Sequence, residues 1–327
     1  MSGPGEWAKR AADVAPPVRR LREDRNRLAA EVGDLRARLA AAEQEAADAR
    51  AAVAVCGIFP PGHFYSPIPS RADLETYADL IWRERTELPG IDLRAAEQLA
   101  LLPRLADAAA TVFRSGEGRY NPVNDQFSWK DGVTLAGMLA LHRPPRVVEV
   151  GSGWSSALTL DVRDRLPDWD PELTFVEPYP ARLESLLRPG DEHGVTIHTK
   201  PVQDVDPNVI TRLEAGDLLF IDSTHVSRAG SDVNVLLLDL VPRLRPGVLV
   251  QVHDVFWPFE YPRDWLDEGR FWNEDYVLRA LLVGNPSLRI VWFNAWLDAT
   301  HHDAVSARFA DWDRNPGGSL WLETVQP

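Results

Sequence analysis

Two short stretches concentrate side chains able to move protons or hold a metal: Ile221-Asp222-Ser223-Thr224-His225 and Val250-Gln251-Val252-His253-Asp254. Each is an apolar run ending in polar residues, so each reads as a buried strand with its chemistry at the carboxyl tip. Polar groups at the ends of central strands must be paired, solvated or bound to a ligand. Asp222, His225, His253 and Asp254 together exceed what a scaffold requires. In one use, Asp222, His253 and Asp254 bind a divalent metal that grips a substrate hydroxyl and lowers its pKa. Nitrogen ligation by His253 suits Mn, Fe, Co or Zn better than Mg. In the other use no metal binds, and His225 or His253 takes the hydroxyl proton as a general base, since imidazole titrates near neutrality. A structural His/Asp network is the third reading.

Aromatic residues crowd the stretch that follows: Phe256, Trp257, Phe259, Tyr261, Trp265, Phe271, Trp272 and Tyr276, interrupted by Pro258 and Pro262. They read either as an acceptor pocket stacking on a ring or sugar face, or as a folded loop packed on the sheet edge. Tyr65-Ser66-Pro67 is a candidate lid. His301 and His302 resemble a tandem metal site but read more simply as a solvated loop between the last two strands.

Groups at strand tips need a sheet to align them. Apolar runs predict strands at Arg146 to Val150, Leu173 to Glu177, Val195 to His198, Asp217 to Asp222 and Gly247 to His253, with later ones at Arg289 to Asn294 and Ser319 to Val325. Helical patterns separate the first five, which is the signature of a parallel sheet. The last two, flanking a helical stretch from about Asp303 to Trp312, can form an antiparallel pair at one end. The first strand runs into Glu149-Val150-Gly151-Ser152-Gly153-Trp154-Ser155-Ser156. Glycine permits a tight turn and close backbone approach, and a helix beginning near Ser155 points free N–H groups at a ligand. A dinucleotide fingerprint would place glycine where Ser156 stands. The second strand ends in Glu177, where a carboxylate can accept hydrogen bonds from both ribose hydroxyls.

Upstream, Val18 to Ala52 lacks proline and is rich in Ala, Arg, Glu and Leu. Leu28, Val32, Leu35, Leu39, Ala42, Ala46 and Ala49 recur alternately four and three apart, with Leu21 one heptad before Leu28, which is a coiled-coil seam. A homo-oligomer is expected through it. The run from Phe59 to Pro69 is punctuated by proline and glycine and marks a boundary, and Ala72 to Arg83 and Leu93 to Phe113 read as cap helices. The chain thus divides into a flexible start (1–17), a coiled-coil helix (18–55), a linker with helical cap (56–135) and a sheet domain (136–327).

The 327 residues carry a formal net charge of −14, which argues against nucleic acid or an anionic membrane as partner and favours a small-molecule acceptor. Cys56 is the single cysteine, so no internal disulfide can form and it reads as an inert thiol. Neither a leader pattern nor an apolar run of about 20 residues can be read. A cytoplasmic location is expected.

These motifs resemble the class I S-adenosylmethionine-dependent methyltransferases, and within them a bacterial subgroup acting on sugars and small natural products. The resemblance runs from Tyr120 to Trp296. It implies S-adenosylmethionine as cofactor, with Glu149, Gly151, Ser152, Gly153 and Ser155 as the first motif, Ser155 standing at the third small position. It further implies Glu177 as the ribose-binding acid, Pro178 shaping the pocket, Gln203 and Asp204 near adenine, and Asp222 beside the methyl group. Metal-dependent O-methyltransferases of this kind hold magnesium with an acid ending strand four and an acidic pair ending strand five; His253 departs from that pattern. The expected fold is α/β, a Rossmann-like doubly wound seven-stranded sheet with an N-terminal coiled-coil helix and a helical cap. The expected activity is methylation of a hydroxyl on a small polar metabolite, sugar or natural product. A nicotinamide-dependent oxidoreductase and a non-catalytic coiled-coil scaffold are the alternatives.

Overall fold

The computed structural model describes residues 16–55, 59–114, 116–191, 193–315 and 317–326. Cys56 and most of the 1–17 stretch lie outside them, as do the side chains of Ala46 and Ala49. The chain forms two compact units, Met1–Tyr77 and Ala78–Pro327. Among the described residues no helix is long and apolar enough to cross a membrane.

In the first unit, helix α1 (Pro16–Val55) keeps the alanine- and arginine-rich stretch in one piece. Its seam residues Leu21, Leu28, Val32, Leu35 and Leu39 are 44–67% exposed, an apolar stripe that no described residue covers. Tyr65 of the candidate lid belongs to this unit and meets Phe59, His63 and Phe64 with tilted rings. Helix α2 (Arg71–Thr76) starts at Ser70, whose Oγ accepts from the Asp73 N–H while the Asp73 carboxylate accepts from the Ser70 N–H, a reciprocal cap.

The second unit opens with α3 (Ala78–Ile81), α4 (Ala95–Val112) and α5 (Trp129–His142). It then alternates through β1 (Arg146–Val150), α6 (Trp154–Arg165), β2 (Glu172–Val176), α7 (Ala181–Leu186), β3 (Val195–His198), α8 (Asn208–Thr211) and β4 (Leu218–Ile221). Helix α9 (Asp232–Asn234) continues through further helical turns to Arg243 and leads to β5 (Leu249–Val252). The remainder is α10 (Arg263–Asp267), α11 (Glu274–Leu282), β6 (Leu288–Phe293), α12 (Asn294–Ser306) and β7 (Leu320–Thr324). All seven expected strands form one mixed sheet, in the order β3-β2-β1-β4-β5-β7-β6. The first five are parallel, and β7 enters antiparallel between β5 and β6. This is an α/β Rossmann-like fold. Val147, Val148, Phe175, Leu219, Phe220, Val250 and Val252 are all buried, as the continuous apolar runs of a sheet covered on both faces require.

The helix expected from about Asp303 to Trp312 begins and ends earlier, overlapping that stretch only to Ser306. Helix α12 begins directly where β6 ends, burying Trp296, Leu297 and Val305, and kinks at His301. His302 is therefore helical and His301 forms the kink before it, rather than both lying in a loop. His302 bonds Asp298 one turn back, at 3.0 Å, and lies 3.2 Å from Asp313, a half-exposed pairing at the rim of a small cleft apart from the strand-tip site.

Candidate active site

Strand register brings the chemistry to one edge. Val150 pairs with Val176 and Ile221, and Ile221 pairs with Val252, so Gly151, Glu177, Asp222 and His253 each stand one residue beyond an aligned row. Backbone hydrogen bonds carry the ladder through these residues: Gly151 N–H to Val176, Asp222 N–H to Val150, and His253 N–H to Ile221. They border a cleft of about 800 Å³ that also takes in Ser152, Gly153, Ser155, His225 and Asp254. Ligands of open α/β sheets bind at this edge.

At the β1 tip, Gly151 has φ +84° and a Cβ there would lie 1.7 Å from the Asp222 carbonyl oxygen, so any side chain would force the β1 and β4 tips apart. Behind the loop, the buried Glu149 accepts from Ser155 Oγ at 2.5 Å and Ser156 Oγ at 2.9 Å. Ser156 Oγ in turn accepts from the Gly153 N–H at 3.1 Å. Serine at the third small position thus has a task glycine cannot perform. Burial still pushes the Glu149 carboxyl up to about 8, against the two hydroxyls that favour its anion. Its second oxygen is buried with no hydrogen-bond partner among the described residues. Glu177 accepts from the Ser152 and Tyr179 N–H groups at 3.1 and 2.7 Å, which fixes its carboxylate over the glycine loop. Pro178 follows at the turn, while Gln203 and Asp204 sit on a separate turn (Val202–Asp204), Gln203 donating to the Gly230 carbonyl. These three residues are not among the side chains bordering the cleft.

The β4 and β5 tips build a compact charged group. Asp222 Oδ1 lies 3.4 Å from both His225 Nε2 and His253 Nδ1, and Asp254 lies 3.6 Å from each of those rings. His225 and Asp254 hold left-handed backbones, φ +59° and +56°, at a cost of roughly 1–2 kcal/mol each for residues that are not glycine. Two acids not foreseen from the sequence stand behind the histidines. Glu274, the first residue of α11, accepts from His225 Nδ1 at 2.8 Å and from Ser223 Oγ at 3.0 Å. Asp131, in the first turn of α5, lies 3.6 Å from His253 Nε2 and accepts from Asn294 Nδ2, Ser319 Oγ and the Gly318 N–H.

Burial opposes charge on all these groups, and their mutual attraction decides the outcome. Desolvation would lower His225, but Asp222, Glu274 and Asp254 outweigh it and raise it to about 10. His253 rises well above its ordinary value in the same way, through Asp254, Asp222 and Asp131. Asp131, which is buried, and Asp222, which is part-exposed at the cleft, are held below the usual carboxylate range chiefly by His253, against the desolvation that opposes their charge. Asp254 is pushed up because burial exceeds what the two rings return. The carboxylates thus bias both histidines toward their charged forms. Among the described residues no group of three or more His, Cys, Asp and Glu side chains has the arrangement of a metal-binding set. The expectation of a metal on Asp222, His253 and Asp254 gains no support from this arrangement.

The aromatic stretch divides between the two readings of the sequence. Phe256, Trp265 and Trp272 border the cleft with Arg270, whereas Phe259 and Tyr261 are fully buried in the core. The Trp272 and His225 ring centroids are 4.4 Å apart. Two adjacent acids after an aromatic run, Glu274-Asp275, were the available signal for the hidden partner of His225. Asp131, flanked by the apolar pattern of α5, offered little.

The family described as a methyltransferase domain matches residues 148–255. A protein of Archaeoglobus fulgidus described as uncharacterized is 36% identical over 167 residues, 48% of this chain and 74% of that protein. Among solved structures, the O-methyltransferase TomG from Streptomyces achromogenes aligns at TM-score 0.39 and 15% identity, over 78% of this chain and 96% of TomG. The Podospora anserina methyltransferase PaMTH1 aligns at TM-score 0.41 and 16% identity, over 83% and 99%. The glycine loop, the strand order and the methyltransferase-domain match over residues 148–255 agree: the chain belongs to the class I S-adenosylmethionine-dependent methyltransferases.

Proposed function

We propose that this protein transfers the methyl group of S-adenosylmethionine to a hydroxyl of a small polar metabolite, sugar or natural product. The observation that carries this reading is that one cleft joins the glycine loop and Glu177 to the His225, His253, Asp222 and Asp254 cluster. The residues at the β1 and β2 tips fit the cofactor. Glu177 has acceptor capacity left for ribose hydroxyls, Gly151 to Gly153 offer bare backbone, and the unpartnered Glu149 oxygen is available to a donor. When bound, the cofactor supplies a methyl carbon already activated by a sulfonium charge. The protein's own contribution is then orientation and proton removal.

His225 Nε2 accepts the hydroxyl proton, and Asp222 and Asp254 at 3.4 and 3.6 Å stabilise the imidazolium that results. The sulfonium charge of the cofactor, when bound, would compete for the same carboxylates and lower His225, which makes its neutral form more available as a base. His253, charged and buried, keeps Asp222 ionised. Trp265 and Trp272 offer flat faces to a ring or sugar acceptor, and Phe256 closes the pocket. We also propose that α1 pairs with a second copy, burying Leu21, Leu28, Val32, Leu35 and Leu39.

Calorimetric titration with S-adenosylhomocysteine tests the cofactor, in chelator-treated protein and again with Mg, Mn or Zn. Binding is expected without added metal, weakened about 10- to 100-fold by Glu177→Ala through loss of charge-assisted hydrogen bonds. Transfer of a labelled methyl group to a panel of hydroxyl compounds then identifies the acceptor. No binding under any condition overturns the reading.

A further inference from the structure

His225 stands in a conformation its own sequence does not favour, and a segment far along the chain holds it there. Its backbone is left-handed, its carbonyl accepts the N–H groups of Asn273 and Glu274 at 3.1 and 3.2 Å, and its ring lies against Trp272. Glu274 completes the clamp with one carboxylate oxygen on His225 Nδ1 and the other on Ser223 Oγ. Glu274 is 1% exposed, so this carboxylate gave up water for two partners on the β4 tip. The neighbouring Asp275 is used differently. It accepts the Phe256 N–H, and burial raises its pKa well above the carboxylate range. His253 has no such clamp, since neither of its ring nitrogens is in hydrogen-bond geometry.

We infer that Glu274 is the positioning residue of the proton-accepting site: it holds the proton on His225 Nδ1 and thereby turns Nε2, as the accepting nitrogen, toward the cleft. The inference rests on the reading of His225 as the base. It assigns a role in the reaction to α11, which lies beyond the 148–255 stretch matched by the methyltransferase family. Trp272 and Glu274 act on His225 from one short segment, Trp272 bordering the pocket and Glu274 lying behind the ring. Any movement of the wall at Trp272 is therefore felt at the base.

A double-mutant cycle with Glu274→Gln and His225→Ala separates positioning from architecture. Glu274→Gln alone is expected to lower kcat on the order of 10- to 100-fold, with the Kd for S-adenosylhomocysteine and the acceptor KM within about twofold. In the His225→Ala background the same change is expected to alter kcat by less than about twofold, because the group it acts through is gone. An equal loss in both backgrounds, or no loss in either, overturns the inference. Proton and nitrogen NMR of the His225 ring in the ligand-free protein gives a reading independent of turnover. A protected Nδ1 proton should be present in the parent and absent or shifted in Glu274→Gln. If that signal is missing from the parent the positioning role fails; if it is present while no acceptor is ever methylated, the fault lies in the proposed activity instead. Should Glu274→Gln not fold, Ser223→Ala weakens the same clamp from its exposed side and is expected to reduce kcat by about threefold to tenfold. No change in kcat for Ser223→Ala would then count against the clamp.

Discussion

The two sides of the cleft are put together by different means. The cofactor side is nearly contiguous: residues 149–156 form the loop and its hydroxyl support, and Glu177 follows on the neighbouring strand. The proton side draws Asp131 from α5, Asp222 and His225 from the β4 tip, His253 and Asp254 from the β5 tip, and Glu274 from α11. One side depends on where the backbone can go, the other on how charges balance at a distance. The first should fail by losing structure and the second by losing rate. Gly151→Ala is the most severe test of that contrast. Its Cβ would meet a backbone oxygen at 1.7 Å, so relief requires parting of the β1 and β4 tips. A loss of about 3–5 kcal/mol in stability is expected, with S-adenosylhomocysteine binding lost as well. Denaturant unfolding with parallel calorimetry measures both, and a stable, binding-competent variant would break the contrast.

On the proton side, His225→Ala should leave the fold and cofactor affinity nearly intact while kcat falls about 10²- to 10³-fold. The pH profile sharpens this. Because the surrounding carboxylates raise His225 to about 10, its base form increases with pH across the neutral and alkaline range, so kcat/KM of the parent should climb toward that value. The climb should be absent from His225→Ala. A rate that is flat with pH in the parent would remove His225 as the base and leave it a structural ring.

The same contrast explains what could be read from the sequence. Strands such as Val147-Val148-Glu149-Val150 and Leu218-Leu219-Phe220-Ile221 announce themselves through largely apolar runs, and the glycine loop through local backbone demands, so the sheet and that turn were legible. Asp131 and Glu274 were not. Asp131 lies 122 residues before His253 and Glu274 lies 49 residues after His225, and each looks locally like an ordinary acid in the first turn of a helix. Only the packing of α5 and α11 against the strand tips turns them toward the rings. The misplaced helix near the C-terminus has a related cause. The run Asn294-Ala295-Trp296-Leu297 continues the apolar character of β6, and nothing in composition marks the point where the period changes from strand to helix.

Ser155 offers the gentlest probe, because it lies on the backbone-governed side yet acts through charge. Its hydroxyl is one of two that support Glu149, so Ser155→Ala should cost about 1–2 kcal/mol and lower the melting temperature of the sheet unit by about 2–8 °C. The pH dependence has a definite sign. Glu149 rises on folding from 4.5 to about 8, so the folded state holds a proton that the unfolded state releases, and this contribution to stability declines as pH rises through that window. The Ser155 hydroxyl favours the anion, so its removal should be felt more at about pH 9 than at about pH 6. Equal losses at both values would mean that Ser155 merely fills space, and the cofactor side would then be a matter of backbone shape alone. A loss that grows with pH would show the buried carboxylate to be held in part by hydroxyl donation, in the same terms as the acids across the cleft.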